Sequence, residues 1–463
     1  MKLDSKTMFA SMPPWRLFFT VALPGMISMF AMSVYSIIEG IFIGQKLGEA
    51  AFAAVNIAFP IIMINFSLAD LVGVGASVPI SIALGRKDEK SADNFFTCSV
   101  ILIFLTSLFM GAVMFFAAEP LARLMGADDS IAGTAARYIQ TYALCSPVST
   151  IFFAMDNYLR ISGYVKMSMF INIFCNVATL VLLFVFLLGA GMDVVGSALA
   201  SCIAMCLCSL LAMIPFVRRK ALLKFVKPRF SFRMIRQIAA CGSPAFLSNI
   251  AGRVTSILMN ISLMTLGVQV LGAGGGTTAV AAYSVLMYAS EMCQPLLYGM
   301  SDSLSPALGF NWGAGSFDRV KKIAGCSFIG SAAVSIGSAA VMFLLAHPLA
   351  SLFVDAQDTG LLRLASEALR LFSLTYLLRW FTIAAQSFLS AIEKPVHATI
   401  LSTSVALVFP VLMLGVLWSL GLKGIWLNMF GTSVLALLLG IGLIVHAFAK
   451  PPKRTPERED DAG

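Results

Sequence analysis

The stretch Phe95-Phe96-Thr97-Cys98-Ser99-Val100-Ile101-Leu102-Ile103-Phe104-Leu105-Thr106-Ser107-Leu108-Phe109-Met110-Gly111-Ala112-Val113-Met114-Phe115-Phe116 carries no charge along its length. As a helix it would rise about 33 Å, enough to cross a hydrocarbon core of about 30 Å. Charges bound it on both sides, at Glu89, Lys90 and Asp93 before it and at Glu119 after it. Working outward, similar blocks recur between charged or Gly/Pro-rich breaks. They place helices at about 15–41, 51–78, 93–118, 132–158, 164–189, 194–217, 238–266, 277–305, 321–346, 365–390, 396–419 and 424–449. Across all 463 residues only 12% are charged and 59% are hydrophobic, and the mean hydropathy is +0.89. A soluble domain carries about a quarter charged residues. Disorder is excluded and a water-soluble enzyme disfavoured; the expected fold is an all-α polytopic membrane protein with twelve transmembrane helices.

The net charge of +9 comes with no dense basic module or interleaved aromatics, so no nucleic-acid partner is expected. Basic residues flanking membrane spans account for it. Of the 32 Lys and Arg residues, 24 fall in the tails and even-numbered loops when the N-terminus is placed inside. Six fall in the odd loops, and Arg253 and Arg379 lie within spans. Both termini are therefore expected in the cytoplasm, of a cell (inner) membrane protein. No cleavable leader is expected, because the first apolar block is too long and lacks an A-x-A site.

The segment 218–237 holds eight basic residues and no acidic one. It reads as a cytoplasmic linker between an N-lobe, 15–217, and a C-lobe, 238–449, with cytoplasmic tails at 1–14 and 450–463. Anionic lipid could also attract it. The halves resemble each other: Gly85 falls on Gly313 and Pro120-Leu121-Ala122 on Pro348-Leu349-Ala350, both at an offset of 228, with Leu159 and Leu389 at 230. Six spans per half is an even number, so the copies share one orientation and form a parallel pseudo-twofold repeat. Such repeats enclose a cavity that rocking opens to alternate sides.

Five carboxylates fall within spans: Glu39, Asp70, Asp156, Glu291 and Asp302. A charge at mid-membrane costs about 2.5–3.5 kcal/mol on the insertion scale. Such groups persist by facing a wet cavity, by pairing, or by staying protonated, and Glu39 and Asp156 could also reach an interface. Helical spacing gathers polar residues into stripes: Ser28, Met32, Tyr35 and Glu39; Asn56, Pro60, Ser67, Asp70 and Ser77; Asn249, Arg253, Ser256 and Asn260; Glu291, Pro295, Tyr298 and Asp302; Thr375, Arg379, Thr382 and Gln386. A single polar stripe on an apolar helix faces protein or water. The expected substrate cavity thus includes Tyr35, Asp70, Arg253, Asn260, Glu291, Asp302 and Arg379. Arg253 and Arg379 could pair with Glu291 or Asp302, as a structural bridge or as a gate. The 25 Met and 36 Phe suit an adaptable binding surface, although they are also ordinary membrane filler.

Enzyme motifs are missing from the sequence. His347, His397 and His446 are scattered, and no HExxH, Asp-rich diphosphate or P-loop pattern occurs. The nine cysteines form no CxxC pair. Gly272-Ala273-Gly274-Gly275-Gly276 reads as an external turn rather than a phosphate loop. An ion gradient would then drive transport, with no cofactor.

Pro24-Gly25 followed by Tyr35-Ser36-Ile37-Ile38-Glu39-Gly40-Ile41-Phe42-Ile43-Gly44 and Leu47-Gly48 resembles the first helix of the multidrug and toxic compound extrusion (MATE) family. Gly73-Val74-Gly75-Ala76-Ser77 leading to Ala83-Leu84-Gly85, Leu159-Arg160-Ile161-Ser162-Gly163, and Gly196-Ser197-Ala198-Leu199-Ala200-Ser201 resemble it too. In the second half, Ser305-Pro306-Ala307-Leu308-Gly309-Phe310-Asn311-Trp312-Gly313-Ala314-Gly315 is similar to the family's signature after helix eight. The resemblance runs from about 15 to 449, and within the family it is closest to the MepA-like branch.

What the resemblance implies is an antiporter, coupled to H⁺ or Na⁺, that exports amphipathic organic cations and acts as a monomer in the bilayer. Glu39 stands where the family places an N-lobe aspartate that binds the coupling ion. Asn176 matches the fifth-helix asparagine and Ser201 the sixth-helix hydroxyl. If the ion is Na⁺, Glu39 and Asn176 would be its ligands. The family's fifth-helix acid is Leu180 here, and Asp156, with Asn157 or Asn172 beside it, could supply the missing charge. The acid pair some branches carry in helices seven and ten is replaced by Arg253 and Arg379, which places Na⁺ coupling through the C-lobe in doubt. Two rivals remain: a lipid-linked oligosaccharide flippase of the same architecture, and an integral membrane enzyme.

Overall fold

The computed structural model describes residues 5–129, 131–354 and 358–449. The expected tail 450–463 and residues 1–4 lie outside them. In the first half the helices are α1 (Ser5–Ser11), α2 (Pro14–Gly85), α3 (Glu89–Phe116), α4 (Ala118–Leu124), α5 (Ala132–Ser149), α6 (Ile151–Ile161), α7 (Val165–Phe184) and α8 (Val194–Val217). The second half holds α9 (Phe232–Leu271), α10 (Gly275–Ser303), α11 (Ser305–Gly313), α12 (Phe317–Leu344), α13 (Ala346–Ser351), α14 (Thr359–Ser373), α15 (Tyr376–Ala391), α16 (Pro395–Thr403), α17 (Phe409–Leu417) and α18 (Leu422–Ala449).

Helical backbone runs without interruption through α2, where two spans with a loop between them were expected. A straight helix of 72 residues would extend about 108 Å, and this one does not. Phe9, just before it, packs its ring at a tilt against that of Phe310 at 5.9 Å, while Gly85 at its far end presses on the Phe310 carbonyl. The chain therefore doubles back between two apolar spans, Pro14–Phe42 and Ala53–Gly85.

Among the described residues nine helices are long and apolar enough to cross a membrane. The other three of the twelve spans are α10, which carries Glu291 and Asp302, and the two broken pairs α5–α6 and α14–α15. The breaks occupy equivalent places and share a device. At the first, Pro147 removes an amide donor, and the hydroxyls of Thr150 and Ser107 meet at 2.8 Å. At the second, Ser335 donates to the Tyr376 carbonyl at 2.5 Å. Ser107 and Ser335 are 228 residues apart, the offset of the sequence repeat. The same displacement relates α3 to α12 at both ends, and the starts of α4 to α13 and α8 to α18. The two lobes are copies of one six-helix plan.

α9 begins at Phe232, capped by Ser231, within the basic segment. The extended part of that segment is fastened to the first lobe. The amides of Lys224, Val226 and Arg229 donate to Asp93, Thr97 and Asn94. Of the glycine-rich run 272–276, residues 272–274 form the turn, with Gly272 and Gly274 at φ +83° and +80°, a region closed to most side chains, while Gly275 and Gly276 begin α10.

The lobes meet tightly at one end of the bundle, the end carrying the even-numbered loops, here called the basic end. Backbones touch there: a Cβ on Gly242 would lie 1.9 Å from the Leu71 carbonyl oxygen, and one on Gly75 would lie 2.2 Å from that of Ile238. Gly85 and Gly313 pack in the same way. The N-terminal segment adds a clasp. Asn311 and Arg319 donate to the Phe9 carbonyl at 3.0 and 2.9 Å, and Arg319 also donates to the Met12 carbonyl.

Candidate functional site

Three constellations hold the polar groups inside the lobes. The first surrounds Glu39, near the end of the Pro14–Phe42 span. Ser201 of α8 donates to Glu39 Oε1 at 3.4 Å, and the Tyr35 hydroxyl lies 3.5 Å from Ser201 Oγ. Tyr35 also reaches Glu39 directly. Tyr138 and Tyr142 of α5, both buried, stand within electrostatic reach of the carboxylate. An acid among hydroxyls and apolar rings can take up or release a proton with its position fixed by neighbours on α5 and α8. Of the residues expected here, Tyr35, Glu39 and Ser201 converge. Asn176 of α7 makes no hydrogen bond to them among the described residues.

The second constellation spans the lobes. Asp156 pairs with Arg160 one turn on, at 2.5 Å. Ser168 donates to Asp156 Oδ1, and Asn172 donates to the same oxygen at 2.6 Å. Arg160, its side chain 5% exposed, extends a second arm to Ser303 Oγ of the other lobe at 3.1 Å. Asp302, which accepts from Ser387, lies close enough to feel the Arg160 charge. Thus Asp156 and Asn172 come together as expected, but around a buried arginine counted from the sequence as a loop charge. The pair's i, i+4 spacing was the signal available.

Asp70 stands apart, with no hydrogen bond or ion pair among the described residues. Its helix face carries Phe66, whose ring packs on Phe153, and Gly73, pressed on Ala154. It therefore points into the first lobe. An unpartnered carboxylate there opposes stability, so Asp70→Asn should raise the melting temperature of the purified protein. A fall on that substitution would reveal a partner that matters.

The third constellation is a cavity of about 220 Å³ within the second lobe, walled by α9, α10, α15, α18 and the Pro395–Leu420 span. Arg379, Thr382 and Gln386 line it as their stripe anticipates, joined by Tyr298. On α9, however, the lining face is Ser248, Gly252, Thr255 and Ser256; Arg253 and Asn260 are exposed off that face. Glu291 is also outside, near enough to sense Arg253 but without an ion pair among the described residues. Asp302 belongs to the inter-lobe cluster. The expected pairing of Arg253 or Arg379 with Glu291 or Asp302 does not form as an ion pair. Beside the cavity one helical turn widens to π geometry at Ser404–Val408, and the Thr255 hydroxyl takes the Ala406 carbonyl at 2.5 Å. Such bulges recur at functional positions.

Comparison with known proteins follows the repeat. The sequence pattern of the MatE family matches residues 24–185 and again 253–414. The chain is similar to the multidrug export protein MepA of Staphylococcus aureus, at 24% identity over 434 residues, 91% of this chain and 93% of the relative. Its fold matches a MATE transporter in the straight conformation with a TM-score of 0.89 and 22% identity, covering 97% of this chain and 99% of that one. A multidrug resistance MATE family transporter in an outward-facing conformation gives the same score, identity and coverage. With the family pattern present once in each lobe, the chain belongs to the MatE family.

Proposed function

We propose that the protein is a secondary exporter of amphipathic organic compounds, driven by protons that bind Glu39. The observation that carries the reading is the Glu39 cluster: one carboxylate in the first lobe held by Ser201 and Tyr35, with rings around it. The resemblance to a multidrug export protein over nine-tenths of the chain supports the substrate class, with organic cations first among the compounds to try. Na⁺ is the weaker alternative, because Asn176 does not join the Glu39 oxygens. The proposed units are lobes 15–217 and 238–449, moving as bodies in the cell membrane, with the basic end and both termini in the cytoplasm as the Lys and Arg distribution supports. The lobes press together at the basic end, which on this orientation closes the cytoplasmic side and leaves Glu39 toward the outside.

A proton can drive the cycle only by binding the two conformations differently. Protonating Glu39 removes the charge that Ser201 and Tyr35 hold, so the packing of the Pro14–Phe42 span against α8 changes with its state. The test is efflux of ethidium from proteoliposomes with the outer compartment acid. Glu39→Gln should reduce gradient-driven efflux by about 5–150-fold, the range of typical coupling energies. Full retained efflux would sink the role of Glu39. Translocation of a lipid-linked oligosaccharide without dye efflux would favour the flippase reading.

A further inference from the structure

The second-lobe cavity has a chemical polarity that the expectation of cationic substrates does not use. Its lining includes Arg379 and no aspartate or glutamate. The Arg379 guanidinium makes no ion pair or hydrogen bond with the protein among the described residues. A guanidinium inside a membrane bundle ordinarily finds a carboxylate or carbonyl, and this one faces open space instead.

Two neighbours repeat the pattern. Thr382, one turn along α15, is 2% exposed, and its hydroxyl has no partner. Gln294 accepts from the Ser290 hydroxyl through Oε1 at 3.2 Å, which leaves its NH₂ as the free end. The cavity thus offers a cation, a hydroxyl and an amide that can all donate, and what they lack is an acceptor. Ser248, Thr255, Ser256, Gln386 and Ser402 add further small polar groups to the wall, and its apolar and aromatic part includes Met287, Met429 and Tyr283, whose ring stacks on Trp426 at 6.5 Å and 19°.

We propose that this cavity binds aromatic organic carboxylates, with Arg379 clamping the carboxylate, Thr382 and Gln294 donating to it, and the ring lying against Tyr283 and the two methionines. Guanidinium and carboxylate match as a two-pronged pair. A lysine would supply charge without that fork. The site concerns binding; that the bound acid is also exported rests on the export reading above.

The probe pair is 2-naphthoate and its neutral isostere 2-naphthamide, followed by fluorescence anisotropy with the purified full-length protein and no gradient. Naphthoate should bind saturably, and at least tenfold more tightly than naphthamide. Arg379→Gln should weaken naphthoate at least tenfold and leave naphthamide unchanged, while Arg379→Lys should fall between Gln and the wild type. Equal naphthoate binding by the wild type and Arg379→Gln overturns the proposal. So does a loss that follows Arg253→Gln instead, or the absence of saturable binding. An unchanged size-exclusion profile identifies the variants that remain folded, and Arg379→Lys serves if the glutamine variant is not among them. Ethidium efflux is measured on the same wild-type preparation. If efflux fails while naphthoate binds through Arg379, the export reading falls and the carboxylate site stands.

Discussion

Replacing Gly242 by valine should force the lobes apart at the basic end and raise labelling of the adjacent, buried Cys241 about tenfold or more. Even a single methyl at position 242 would sit 1.9 Å from the Leu71 carbonyl oxygen, and the opposing Gly75 would meet the Ile238 carbonyl at 2.2 Å. Overpacking costs about 1–3 kcal/mol where side chains can adjust. Here the obstacle is backbone in a long helix, which cannot swing aside. A state in which the seam has separated carries none of that penalty, so the substitution biases the equilibrium between them, each 1.4 kcal/mol being about tenfold. The readout is peptide-resolved maleimide labelling of Cys241, which is 4% exposed. Gly325→Val is the control, because a Cβ there meets nothing within 4 Å. Unchanged labelling in the Gly242 variant would mean that the seam does not open as a unit.

The second large effect concerns Arg160. Arg160→Met should destabilise the protein by about 3–5 kcal/mol, the usual cost of stranding one partner of a buried ion pair. Asp156 would retain Ser168 and Asn172 as donors but lose its counter-ion, and Ser303 would lose its partner across the lobes. Adding Asp156→Asn should restore most of the loss, since a neutral amide needs no cation. Denaturant unfolding of the single and double variants measures this. A double variant as unstable as the single one would show that packing around the Arg160 stem, rather than its charge, holds the site.

The spans were legible because bilayer thickness is a hard constraint on apolar length. The repeat was legible because Pro120-Leu121-Ala122 and Gly85 mark element ends that both halves keep. Side-chain direction was not. On α9 the stripe Asn249, Arg253, Ser256 and Asn260 shares only Ser256 with the face that lines the cavity, because neighbouring faces of a helix are about 100° apart. A lone sequence does not say which one meets protein. The break at Thr150 had Pro147 as a cue. The break before Tyr376 had none, since it is held from outside by Ser335. Arg160 escaped notice because a basic residue near a span end usually serves orientation. Tyr138 and Tyr142 sit four apart on one face, visible in retrospect, yet nothing local ties them to a glutamate about a hundred residues earlier.

The clasp at the N-terminal segment has a consequence for biogenesis. Phe9 and its partner Asn311 are 302 residues apart in the chain, and Arg319 lies further still. At about 5–20 residues per second, roughly 15–60 s pass between the synthesis of the two sides. For that interval Met8 and Phe9, each 2% exposed in the finished protein, lack the cover that Phe310 and Asn311 give this segment. The N-terminal segment is completed only when α11 arrives, so its full burial can serve as a signal that the second lobe has been inserted.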